Sequence, residues 1–281
     1  MIRIAHISDL HFSKISFNPL QFFTKRWLGN FNSLFSRKKT FIADHLLSLP
    51  SLFSELNVDQ LIISGDLTTT SRKKEFAQAK KFTDQCVKVV PTFVIPGNHD
   101  HYTKKAYRDK IFYDYFPNTS LKNSGVSATS LGHKWWLVEL DTTVPTPWLS
   151  SHGHFSIEME KHLESVLKSI PQEDSVLLVN HFPFFNNEIR KILNRADNLK
   201  KLLQQFPQVK LFLHGHTHRQ TLADLRGNQL PIILDSGSTT HKHRGSWNLI
   251  DISDKGCDVH IYQLKNSSWE KTKTSSFTWG D

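Results

Sequence analysis

Phe93-Val94-Ile95-Pro96-Gly97-Asn98-His99-Asp100 is the stretch on which the reading of the whole chain turns. Three apolar residues, two of them β-branched, predict the end of a buried strand. Pro96 has no N–H to continue a ladder and Gly97 tolerates positive φ, so the strand stops there. The turn then offers three polar side chains at a strand's C-terminal edge, where α/β sheets hold their ligands. Asn98 brings an amide oxygen, His99 a ring that can carry a proton, and Asp100 a carboxylate. An ordinary polar turn would use the same residue types. The decision therefore comes from what surrounds it.

The same arrangement recurs along the chain. Ile2–Ile7 predicts a strand that runs into Ser8-Asp9-Leu10-His11. On an extended backbone Asp9 and His11 would point to the same side and reach one metal ion. Val58–Ser64 predicts a strand ending in Gly65-Asp66, with Gly65 allowing the sharp turn. Ser175–Asn180 runs into His181, and Val209–Leu213 into His214-Gly215-His216-Thr217-His218. One such pair is a weak signal. Five apolar runs, each ending in a residue able to bind metal, are a strong one, because the C-terminal ends of sheet strands gather at one edge. Asp9, His11, Asp66, Asn98, His181, His216 and His218 are too many for one four-coordinate ion. They suit two ions about 3.5–4 Å apart. Asp66, with two oxygens and a central place in the chain, is the natural bridge. Nitrogen and oxygen donors without thiolate favour Mn²⁺, Zn²⁺, Fe or Co²⁺ over Mg²⁺ or Ca²⁺.

Elsewhere the pattern predicts helices over 41–56 (interrupted at Pro50), 71–87, 103–116, 156–169 and 188–205, and a strand over 134–140. Three apolar runs, 230–234, 247–252 and 259–264, predict a second sheet that is at least partly antiparallel. The tail from Lys265 is rich in Ser, Thr and Lys. His152 and His154 read as loop residues, His214 as pointing away from the metals, and His101, His133, His241 and His243 as surface or rim residues. Asp235–Thr239 is expected to line the site after its strand, and Asp100 to orient a neighbour rather than ligate.

Residues 12–43 differ in kind. They contain no acid, and Leu20, Phe23, Trp27, Phe31 and Leu34 fall at helical spacing among Lys and Arg. Such a stretch, a basic amphipathic insert at about 12–40, either packs its stripe on its own core or lies on an anionic membrane surface. The remaining composition is that of an ordinary globular chain: 281 residues, 38% hydrophobic and 22% charged, with no apolar run of membrane-spanning length. No repeat or linker divides it, so one domain over 1–281 is expected. Asp9 follows the start too early for a signal peptide's apolar region, and Cys86 and Cys257 read as small core residues. Both features point to a cytoplasmic protein, peripheral to the inner face of the membrane if the insert binds lipid. The formal charge of +9 points to an anionic partner.

Taken together and in order, Asp9-Leu10-His11, Gly65-Asp66, Gly97-Asn98-His99-Asp100, Asn180-His181 and Gly215-His216-Thr217-His218 resemble the motifs of the calcineurin-like metallophosphoesterases. The resemblance implies an α/β (α+β) four-layer α-β-β-α sandwich with two mixed sheets. It implies that Asp9, His11, Asp66 and His218 hold one ion, and Asp66, Asn98, His181 and His216 the other. The expected activity is hydrolysis of a small phosphodiester or phosphomonoester by a metal-bridging hydroxide, with two divalent ions (Mn²⁺, Fe²⁺/³⁺ or Zn²⁺) as cofactors. His99 is the expected catalytic residue, protonating or stabilising the leaving oxygen, a role worth about 10²–10⁴-fold. This reading resembles the bacterial cyclic-nucleotide phosphodiesterases of the family. One alternative is a membrane-surface hydrolase of a lipid-linked pyrophosphate such as UDP-diacylglucosamine, and another is a non-catalytic scaffold. A nuclease is the weakest option, since no nucleic-acid module is appended.

Overall fold

A computed structural model describes residues 1–13, 44–147, 150–185 and 188–280. The basic insert, apart from Phe12 and Ser13, lies outside these residues, as does the start of the helix expected from Phe41.

Hydrophobic alternation builds two sheets back to back. The first sheet is formed by β1 (Ile2–Ile7), β2 (Gln60–Ile63), β3 (Thr92–Val94), β12 (Ser246–Ile252), β13 (Gly256–Lys265) and β14 (Ser268–Thr278), in the order β14-β13-β12-β1-β2-β3. The second is formed by β4 (Val126–Gly132), β5 (Trp135–Leu140), β7 (Ser175–Val179), β9 (Val209–His214), β10 (Gln220–Asp224) and β11 (Ile232–Ser236), in the order β10-β11-β9-β7-β5-β4. Both are mixed. β1, β2 and β3 run parallel, as do β5, β7, β9 and β11, with antiparallel strands at their flanks.

The period-two rule sorts the side chains of the second sheet. Leu137, Leu177, Val179, Leu211, Leu213 and Leu234 face the first sheet and share one core with it. Val138, Leu140, Val176, Leu178, Phe212 and Ile233 face outward, under the helices Ile157–Ser169 and Ala196–Leu203. On the far side, the helices Leu49–Glu55 and Lys73–Val87 bury Phe53, Phe76, Ala79, Phe82 and Cys86 against the first sheet. These are the four layers, helix on sheet on sheet on helix.

Several local expectations are corrected. β3 is a half-buried edge strand, because no further strand pairs beyond it. The apolar runs after residue 229 do not form one sheet: β11 joins the second, while β12 and β13 join the first. The Ser-, Thr- and Lys-rich tail, in which no strand was expected, forms β14, which pairs with β13 along its length, and Trp269, Phe277 and Trp279 pack on the core. The helix expected over 103–116 breaks at Lys110, whose φ is +48°. The one expected over 188–205 gives way to a 3₁₀ turn (Ile189–Lys191) and β8 (Leu193–Asn194), which pairs with β6 (Gly153–His154). His154 is thus in a strand, not a loop. Only Ala196–Leu203 is helical there, and Arg195 enters it at φ +64°. Tertiary pairing overrides helix propensity in that segment.

Candidate metal centre

The seven candidate ligands come from the C-terminal ends of two sheets, not one. Asp9 and His11 follow β1, Asp66 follows β2 and Asn98 follows β3; His181 follows β7, and His216 and His218 follow β9. The sandwich brings the two edges together. His181 Nδ1 lies 2.8 Å from the Ser64 carbonyl, and the His216 N–H donates to Asp9 Oδ2 at 3.0 Å.

The extended Asp-x-His geometry is also corrected. Asp9, His11, Asp66, His216 and His218 have φ of +55°, +48°, +54°, +71° and +56°. Left-handed backbone at non-glycine residues costs about 1–2 kcal/mol each, and such strain gathers at functional sites. It persists here because neighbours hold the loops. Ser238 and Thr240 hydroxyls donate to the Asp9 carbonyl at 2.8 and 3.1 Å, and the Asp9 and His11 N–H groups donate to Gly65 O and Asp66 O. Ser238 thus comes from the Asp235–Thr239 segment expected to line the site. Asp100 is not among the clustered ligand residues. Its carboxylate accepts from the N–H groups of Leu67, Thr68 and Gly97 and from the Thr68 hydroxyl, tying the Asp66 and Asn98 turns together. Burial and the neighbouring Asp66 carboxylate push its pKa up to about 7 against those bonds.

Ligand atoms of Asp9, His11, Asp66 and His218 all lie within 4.8 Å of one another. His11 Nε2 is 2.9 Å from His218 Nε2, 3.7 Å from Asp9 Oδ1 and 3.9 Å from Asp66 Oδ2. His181 Nε2 is 3.5 Å from the same Asp66 oxygen and 3.2 Å from Asn98 Oδ1. The other Asp66 oxygen, Oδ1, accepts the His99 N–H at 2.7 Å. His216 packs its ring 5.1 Å from that of His181 and turns Nε2 to the Lys191 carbonyl at 3.1 Å. His99 is half-buried; its Nδ1 lies 2.7 Å from the Thr69 carbonyl and its ring meets His11 edge-on at 5.0 Å.

The residues fit a cation. Asp9 Oδ1 is buried and no donor meets it with hydrogen-bond geometry, although His218 Nε2 comes within 3.1 Å. Burial would raise the Asp9 carboxyl, but the His218 and His181 imidazoles outweigh it and hold it below the usual range. Burial acts on Asp66 in the same sense and is overcome by His181, His99 and His11. His216, buried and beside His181, is lowered to about 3 and stays neutral, as a ligand must. His181 is lowered by burial but raised more by Asp66, to about 9, so a cation held there would have to displace its proton.

Of the other histidines, His101 parts from expectation and His214 does not. His101 is 2% exposed and not at the surface; Nδ1 lies 2.6 Å from Thr143 Oγ1. His214 is buried behind the site, with Nδ1 3.1 Å from Gly215 O. The residues that escaped sequence reasoning are Thr69, Thr68 and Thr240, which act through carbonyls and hydroxyls that have no motif.

The sequence profile of the calcineurin-like phosphoesterases matches residues 2–220, and the chain belongs to that family. Over 190 residues it is 27% identical to a probable glycerophosphodiester phosphodiesterase, GpdQ, of Arcobacter nitrofigilis, covering 66% of this chain and 64% of that protein. Over 182 residues it is 26% identical to the 3',5'-cyclic adenosine monophosphate phosphodiesterase CpdA of Escherichia coli, covering 61% and 58%. The match thus spans less than two thirds of either relative. Among solved structures, a dimetal phosphatase from Danio rerio superposes with a TM-score of 0.69 at 13% identity, over 99% of both chains, a likeness of fold.

Proposed function

We propose that the chain is a binuclear metal-dependent hydrolase of phosphodiesters or phosphomonoesters, built as one domain over 1–281. The observation that carries the reading is one oxygen, Asp66 Oδ2, lying between the imidazoles of His11 and His181 while its partner oxygen is tied to His99 N–H. Asp9, His11, Asp66 and His218 would hold one cation, and Asp66, Asn98, His181 and His216 the other, His216 through Nδ1. The nitrogen and oxygen donors suit Mn²⁺, Zn²⁺ or Fe. Such a pair, when bound, lowers the pKa of a shared water and neutralises charge building on phosphoryl oxygens.

The chain's own contribution is orientation and one proton. His99, oriented by the Thr69 carbonyl 2.7 Å from Nδ1, would give a proton to the leaving oxygen. Asp100 keeps the Asp66 and Asn98 turns in register. The likeness to two phosphodiesterases, one named for glycerophosphodiesters and one for cyclic adenosine monophosphate, supports a diester. The lipid-pyrophosphate alternative rests on the 12–40 stretch alone. Among the described residues no helix is long and apolar enough to cross a membrane.

The test is chelation followed by Mn²⁺, with bis-p-nitrophenyl phosphate as substrate. Mn²⁺ should restore turnover to the native chain and not to Asp66→Ala, which should also lose Mn²⁺ binding. Full activity in Asp66→Ala would overturn the bridging role. Absence of turnover with any phosphoester at saturating metal would favour the scaffold reading.

A further inference from the structure

A cavity of about 570 Å³ opens beside His216, walled by Phe185, Glu188, Lys191, His216, Arg219 and Thr221. It is larger than a phosphoryl group requires and of the size that takes a small molecule. The chain fixes it against the metal centre. The Lys191 carbonyl lies 3.1 Å from His216 Nε2. Arg219 follows His218 directly, and its N–H donates to Thr217 Oγ1, which in turn donates to the buried Asp235 carboxylate at 2.5 Å.

The charge in these walls is unbalanced. The Lys191 ammonium pairs with Glu188 at 2.6 Å. Glu188 is the one carboxylate of the lining, so two cations face one anion. Arg219 is exposed, and no carboxylate of the described residues forms an ion pair with it. A neutral alcohol would gain nothing from this excess. A guanidinium presents a planar fork that matches phosphate and carboxylate oxygens.

We infer that this cavity receives the organic group that stays on phosphorus when the leaving oxygen departs, and that Arg219 selects substrates carrying a second anionic group, phosphate or carboxylate, on that group. The inference rests on the hydrolase reading and deepens it: the substrate is an organic phosphoester with at least two anionic groups. Arg219 is a specificity-determining residue, next to His218 in the chain and sharing a cavity wall with His216, and not a partner of the reacting atoms.

Two chromogenic esters test it on the Mn²⁺-loaded protein: thymidine 5′-(p-nitrophenyl phosphate) and its 3′-phosphorylated counterpart. Scissile bond and leaving group are the same, and only the second phosphate differs. The native chain should favour the 3′-phosphorylated ester about tenfold or more in kcat/KM, as a charge-assisted contact provides. Arg219→Gln should bring the ratio towards one, and Arg219→Lys should keep part of it. A native ratio near one, or a ratio unchanged in Arg219→Gln, overturns the inference alone. Turnover of neither ester overturns the hydrolase reading and the inference with it.

Discussion

Replacing Gly97 with alanine tests the centre through its backbone. A Cβ on Gly97 would stand 2.2 Å from Asp66 Oδ1 and 2.3 Å from Asp66 N. A comfortable non-bonded contact needs about 3.5 Å, so the overlap exceeds 1 Å. Rotating the Asp66 side chain cannot relieve it, because the backbone nitrogen is equally close. The two turns must separate by about 1 Å, which also strains the bonds from Gly97 N–H to Asp100 at 2.9 Å and from His99 N–H to Asp66 at 2.7 Å. Overpacking of this kind costs about 1–3 kcal/mol of stability, and a 1 Å misplacement costs about 10²-fold in rate. Gly97→Ala should therefore fold, melt somewhat lower, bind Mn²⁺ at least tenfold more weakly and lose about 10²-fold in kcat/KM on bis-p-nitrophenyl phosphate. Calorimetric titration with Mn²⁺, a thermal melt and steady-state kinetics read the three effects. Gly227→Ala, where nothing lies within 4 Å, is the control. Native Mn²⁺ affinity and turnover in Gly97→Ala would refute the close approach of these two turns.

Two further outcomes are expected. His99→Gln should lower kcat about 10²–10⁴-fold on an alkyl phosphodiester and far less on p-nitrophenyl esters, whose leaving group needs no proton; equal losses on both would remove the proton-transfer role. Burial pushes Glu139 up to about 7 despite hydrogen bonds from Ser127 and Asn118 that act the other way. Its folded pKa lies above the unfolded one, so its contribution is fully present below about pH 4.5 and lost as pH rises to about 7, by up to about 3 kcal/mol. The difference in unfolding free energy between the native chain and Glu139→Gln, measured from pH 4.5 to 8, should shift in favour of the variant by that amount; no change across the window would mean Glu139 is ionised throughout.

Local chemistry made much of this protein readable from residue order. An apolar run followed by a polar turn announces a strand end wherever it occurs, and the ends at Asp9, Asp66, Asn98, His181 and His216 are where they were expected. The helix Lys73–Val87 buries Phe76, Ala79, Phe82 and Cys86, the face its spacing predicts. β14 was illegible because alternating Thr, Lys and Ser carry little hydrophobic signal; pairing with β13 makes it a strand. The segment around 189–195 reads as helix by propensity and is diverted by β8 meeting β6.

Which residue types can grip a cation, and that they follow strands, is written in the chain, because side-chain chemistry and strand termination are local properties. Which sheet each strand joins is not, because pairing is decided between segments as far apart as Ile2 and Ile252. The positive φ of Asp9 and His11, the oxygen of Asp66 that stands between two imidazoles, and the meeting of Lys191 with Arg219 in one wall beside His216 all arise only in the folded sandwich. They are imposed by distant hydroxyls, carbonyls and backbone contacts whose identity no local pattern encodes.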